Sequence, residues 1–221
     1  MTFQSPEASK SQRTRASYAA FTSSVERLCR MDPGARAALR AGLRRDLDHP
    51  RARPMHRLLT PRLPEECDDR IAQAHYTVAS LIAAQPRHAF APDEEEDEDT
   101  AAEQGKRVLQ KSGEPDEEAA SSELTRYGSS FGATLGQAVI AKGSSMRMSA
   151  AESRINLLTR QSLRGIHLHL PAAVNQVRST GAPIDWEQLL ADLVDWPYES
   201  GRISRRWLQD FYRITARADR D

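Results

Sequence analysis

The 221-residue chain has only two cysteines, Cys29 and Cys67, too few for a disulfide framework or a cysteine metal site. Aromatic residues make up 6% of it, so any core has to be built from Leu, Ile, Val and Ala. No run of about 18 uncharged apolar residues occurs, which excludes an ordinary membrane-crossing helix. The first seventeen residues carry no apolar block of the kind a secretory leader needs, and a cytoplasmic, reduced protein is the expectation. Lysine is scarce too: Lys10, Lys106, Lys111 and Lys142 are the whole complement. No glycine-rich loop of the G-x-x-x-x-G-K-[ST] type is present, so nucleotide hydrolysis has no support and no cofactor is expected.

What the chain does have is arginine, unevenly balanced by acid. Formal net charge is zero, with 31 basic and 31 acidic residues. That neutrality is an average. Residues 1–92 hold 15 basic against 9 acidic, 93–123 hold 3 against 13, and 124–221 hold 13 against 9. Two basic segments therefore flank an insert of net charge −10. Basic bodies of this kind attract polyanions.

Apolar spacing is helical wherever it is regular. Tyr18, Phe21, Val25, Leu28 and Cys29 share one face of a helix, and Leu39, Leu43 and Leu47 form an i, i+4, i+8 stripe after the start signal Asp32-Pro33. Ile71, Tyr76, Val78, Ala79 and Ile82 mark a longer helix over about 65–84. Order resumes near Leu124: Phe131, Leu135, Val139 and Ile140 predict one helix, and Ser149 with Glu152 reads as a capping box opening the next. Leu170, Val174 and Val177 mark a third, and Asp185 caps a fourth with Trp186, Leu189, Leu190, Leu193 and Val194 inward. A last helix, about 202–216, buries Ile203, Trp207, Leu208, Phe211 and Ile214. No period-2 strand is evident. The expectation is an all-α protein: a disordered tail 1–16, a helical bundle 17–91, a flexible acidic insert 92–123 with a helical turn at Val108 and Leu109, and a second bundle 124–217. One continuous bundle with a long acidic loop between its halves fits the same pattern.

Enzyme signals are weak. Gly128-Ser129-Ser130-Phe131-Gly132 has the spelling of a hydrolase nucleophile elbow, but residues 123–127 are no buried strand, so a helix start is the better reading. His167 and His169, two apart on a helix, point in different directions and lack further ligands at metal-site spacing. The acidic run 93–99 lacks the alternation and the glycine turn of a calcium loop and reads as solvated chain. The arginines are the stronger signal. Arg36, Arg40 and Arg44 recur at i, i+4, i+8 with Arg45 beside them, and Arg154, Arg160, Arg164, Arg178, Arg202, Arg205 and Arg206 follow in the second half. Guanidinium groups grip phosphate bidentately without reading sequence, so nucleic-acid contact is one reading and a helical protein-interaction adaptor the alternative.

Four runs bring a family into view. Gly132-Ala133-Thr134-Leu135-Gly136-Gln137-Ala138-Val139, Ala151-Glu152-Ser153-Arg154-Ile155-Asn156-Leu157-Leu158, the block from Val177-Arg178-Ser179 to Asp185-Trp186-Glu187 and Leu193, and Arg206-Trp207-Leu208-Gln209-Asp210-Phe211-Tyr212 resemble, in order and spacing, the small subunit of type I-E CRISPR Cascade, the CasB family. Residues 37–40 and 57–59 agree more loosely. The resemblance implies a non-catalytic helical subunit. Its partners would be the other Cascade subunits, the guide-RNA ribonucleoprotein, a second copy of itself and target DNA, above all the displaced strand. Nucleic-acid contacts are expected at Arg154 and Arg178, which sit inside matched runs, and at Arg36, Arg40, Arg44, Arg160 and Arg206 by their positions on predicted faces; Trp186, Trp207, Phe211 and Tyr212, each on an apolar helical stripe, are left to the core. Two departures stand out: Gln137 replaces an arginine often found there, and the acidic insert is longer than the usual loop, long enough to compete for those arginines if it folds back.

Overall fold

A computed structural model describes residues 6–65, 67–86, 90 and 128–218, without the side chains of residues 6–13. Among the described residues there are eight α-helices and no strand. They are α1 (Pro6–Met31), α2 (Pro33–Ala41), α3 (Arg53–Leu59), α4 (Asp69–Ala83), α5 (Phe131–Ile140), α6 (Met148–Leu158), α7 (Leu163–Arg178) and α8 (Trp186–Ala218). Two short 3-10 turns, Pro50–Ala52 and Thr60–Arg62, flank α3. The all-α expectation holds. The whole insert 92–123, including Val108 and Leu109, lies outside the described residues.

Local chemistry starts these helices where polar side chains can take up orphan N–H groups. Asp32 accepts from the amides of Gly34 and Ala35, Asp68 from Ile71 and Ser162 from Gly165. The Gln188 amide donates to Asp185 at 2.9 Å, as the sequence led us to expect. The capping box does not form. α6 begins two residues earlier, at Met148 with Arg147 as its cap, because Met146 and Met148 pack against the core and draw the first turn forward. Helix α1 also differs: residues 6–16, read from sequence as a disordered tail, are helical. Their Ala, Glu, Lys, Gln and Arg content is helix-favouring even with little to bury, and Pro6 stands at the first helical position.

The two groups of helices do not have separate cores. One contiguous apolar cluster runs from Phe21, Val25 and Leu39 through Ala79 and Ile82 of α4 to Leu135, Ile155, Val174, Leu190 and Trp207. Helices α1 and α4 pack on α8, and α4 also meets α7. Helix α5 lies closest against α8. A Cβ on Gly132 would collide with the backbone carbonyl of Trp207, and one on Gly136 would press on Ile214 and the Phe211 carbonyl. Those two glycines let the helix backbones approach directly. Pro197 and a non-helical Glu199 (φ −126°, ψ 19°) divide α8 into two arms, which the sequence reading treats as two helices.

Candidate nucleic-acid interface

Arginine meets two different environments in this molecule. The first is a groove between α2, the end of α4 and α7. Its larger cavity, about 960 Å3, is lined by Arg30, Arg36, Arg40 and Arg178 together with Cys29 and Phe90. A second cavity of about 360 Å3 shares Arg40 and Arg178 with the first and adds Arg44, Pro171 and Asn175. Among the described residues, no carboxylate lines either cavity. None of these five arginines has an ion-pair partner among the described residues.

Each side chain arrives by a local route. Arg36 stands on α2 and donates from Nε to the Ala83 carbonyl at 3.1 Å and from Nη2 to that of Gln85, closing the C-terminal end of α4 where cations are favoured. Its guanidinium carbon lies 4.8 Å from the centre of the Phe90 ring, a cation–π contact. Arg40, one turn on, is exposed. Arg44 is off the helix: α2 stops at Ala41, Gly42 caps it, and Arg44 turns back through a left-handed conformation (φ 60°). The i, i+4, i+8 arginine stripe therefore does not exist as a helical face, yet Arg44 still reaches the groove that Arg40 enters. Arg178 ends α7, half buried, with a buried Nε that has no hydrogen-bond partner. Burial, then the nearby Arg40 and Arg36 cations, depress its pKa, while an arginine so placed stays charged. Burial also pushes the Cys29 thiol up to about 11, so the sulfur in the wall is inert.

The second environment surrounds Asp192, 3% exposed in the first arm of α8. Its carboxylate accepts from Trp207 Nε1 at 2.6 Å and Gln188 Nε2 at 2.8 Å, and pairs with Arg206 Nη2. Burial raises the Asp192 pKa, and Arg206 and the hydrogen bonds pull it back. Gln188 also accepts from the Gly128 amide at 2.8 Å, and Asp185 accepts from that of Ser129 at 3.0 Å. Ser130 caps α5, accepting from the Ala133 amide, and donates its hydroxyl to Asp210 at 2.6 Å. This is the fastening of a returning chain, and it accounts for the serine that sequence alone placed in an elbow-like motif.

The seven arginines singled out from sequence thus separate. Arg36, Arg40, Arg44 and Arg178 come together. Arg206 is committed to Asp192, at odds with a contact role, because its helix turns it toward a buried acid. Arg154 reaches Gln176 at 3.3 Å, about 200° around α7 from Arg178, and Arg160 is exposed just past the end of α6. Arg164 forms an exposed pair with Asp46 at 3.3 Å. Arg30 is a groove residue the sequence reading missed. It follows Cys29, the last buried apolar residue of α1, and only the turn at Asp32-Pro33 brings it to the same cavity as Arg36. Trp186, Trp207 and Phe211 are buried as expected, whereas Tyr212 is 41% exposed. His167 is buried, its Nδ1 bonded to Thr77 Oγ1 at 3.0 Å across the α4–α7 contact, and His169 joins no cluster of metal-ligating side chains among the described residues.

The described residues thus form a helical body with a groove lined by arginines and by no carboxylate among them. A profile of the CRISPR-associated protein Cse2 family matches residues 35–212. A chain of a solved structure described as a CRISPR RNA-guided surveillance complex is 30% identical, with a TM-score of 0.70 over 94% of this chain and 98% of that one. A second such complex, described as pre-nicking, matches with the same identity and score over 93% and 97%. The crystal structure of M. ruber CasB shares the fold, at 20% identity and a TM-score of 0.62 over 92% and 97%. Comparison with curated proteins by sequence finds no match. The chain belongs to the Cse2 (CasB) family of type I-E CRISPR-associated proteins.

Proposed function

We propose that the chain is the non-catalytic small subunit of a type I-E Cascade surveillance complex, and that its arginine groove holds the displaced strand of target DNA while guide RNA pairs with the other. The single observation that carries the reading is the meeting of Arg36, Arg40, Arg44 and Arg178 in one groove that no carboxylate lines among the described residues. Strand exchange is nearly balanced, since the hybrid formed is about as stable as the duplex lost, so a few backbone contacts tip it. Arginine suits the task because each phosphate contact releases counterions irrespective of sequence. Its partners in this role are the other Cascade subunits, the guide-RNA ribonucleoprotein, a second copy of itself and the displaced strand. Arg154 and Arg160 belong to a separate face and are assigned a lesser share, and Arg206 none.

The test is a reconstituted complex carrying Arg40→Ala, Arg44→Ala and Arg178→Ala together. Assembly should persist, target-DNA affinity should fall about tenfold or more at moderate salt, and the salt dependence should flatten by about two counterions. Unchanged affinity and slope would overturn the reading.

A further inference from the structure

The groove has a polyanion tethered at its rim. Helix α4 ends at Ala83, and beyond it Gln85, Pro86 and Phe90 line the cavity, with Arg36 bonded to the Gln85 carbonyl and lying over the Phe90 ring. Three residues beyond Phe90 begin seven consecutive carboxylates, residues 93–99. At about 3.5 Å per extended residue, the run starts within about 10 Å of Phe90 and ends within about 32 Å of it. Among the described residues, the five arginines of the groove face no acid, and one of them, Arg178, has a buried donor with no acceptor. Charge complementarity, the place where the chain leaves the groove wall, and the short tether select one occupant.

We propose that the groove is a docking site for the chain's own acidic run 93–99, which competes there with nucleic acid. A short tether gives the run an effective concentration on the order of millimolar, far above that of any free peptide. Contacts between exposed carboxylates and guanidinium groups are screened by salt, so docking weakens as ionic strength rises. The docking stands independently of the function proposed above; only the competition rests on it.

Two measurements on the full-length protein separate the halves. In the first, Arg40→Lys keeps the charge and supplies a primary amine that a carbodiimide can join to a carboxylate in direct contact. Mass spectrometry should find position 40 joined to residues 93–99 within monomeric protein at low salt, and the product should fade near 0.5 M salt. No such product, or one found only in cross-linked dimers, overturns docking within the chain. In the second, the carboxylates of residues 93–99 are replaced by their amides, Asp93→Asn through Asp99→Asn, and binding of a labelled 20-nucleotide oligo-dT is followed by polarisation. The variant should bind at least tenfold more tightly at low salt, with the gap closing as salt rises. Equal binding by both proteins overturns the competition. If the cross-link forms and neither protein binds DNA, docking is upheld and it is the nucleic-acid reading that fails.

Discussion

Arg178 and Arg206 are both half-buried, both lie in the second half of the chain, and both sit in runs shared with the same family. Their surroundings are opposite. Arg206 faces a buried carboxylate that two further donors also hold, whereas Arg178 faces Arg36 and Arg40. The first arrangement closes on itself and makes structure. The second has no carboxylate to close on within the described residues. A cation's role is decided by what the fold puts opposite it, not by the helix that carries it.

The strongest way to break this contrast is at Asp192. Asp192→Ala strands the Arg206 charge and the Trp207 and Gln188 donors, so urea unfolding should register a loss of about 3–5 kcal/mol. Arg178→Ala removes a guanidinium whose Nε has no partner, and its stability should stay within about 1 kcal/mol of the parent while nucleic-acid binding drops. Near-equal losses for the two variants would abolish the distinction.

Acid separates the two halves of the molecule less sharply. His167 is buried between α4 and α7, and burial lowers its pKa to about 4 from an ordinary 6.5. The unfolded chain therefore binds a proton that the folded one refuses, and stability falls as pH drops from 6.5 toward 4. At about 1.4 kcal/mol per unit the loss reaches about 3 kcal/mol, and His75, lowered for the same reason, adds in the same direction. Melting temperatures at pH 7 and 4.5 should show the drop, and His167→Gln should shrink it. Gly132→Ala comes next, forcing α5 away from the Trp207 carbonyl at about 1–3 kcal/mol in thermal unfolding. The smallest effect belongs to the exposed Arg164–Asp46 pair, where Arg164→Ala should change stability by less than about 1 kcal/mol.

Much of the scaffold could be read in advance because it depends on neighbours in sequence. Asp32-Pro33 and Asp185 open helices by contacts two to four residues away, and the stripe of Phe21, Val25 and Cys29 is buried as its spacing requires. What escaped reading depends on tertiary contact. Ser149 lost its capping role to the pull of Met146 and Met148, and Arg44 left the helical stripe where Gly42 ended α2. Arg206 and Arg178 look alike until α8 brings Asp192 within reach of one and α2 brings Arg36 and Arg40 toward the other. Of the candidate contact residues, the groove retained four and gained Arg30, which lies on an element whose sequence pattern speaks only of burial.

The chain is pinned on both sides of residues 91–127: Arg36 grips the Ala83 and Gln85 carbonyls before them, and Gln188 and Asp185 take the Gly128 and Ser129 amides after them. With both anchor points secured by the body itself, the entropy cost of closing the chain between them grows only logarithmically with its length.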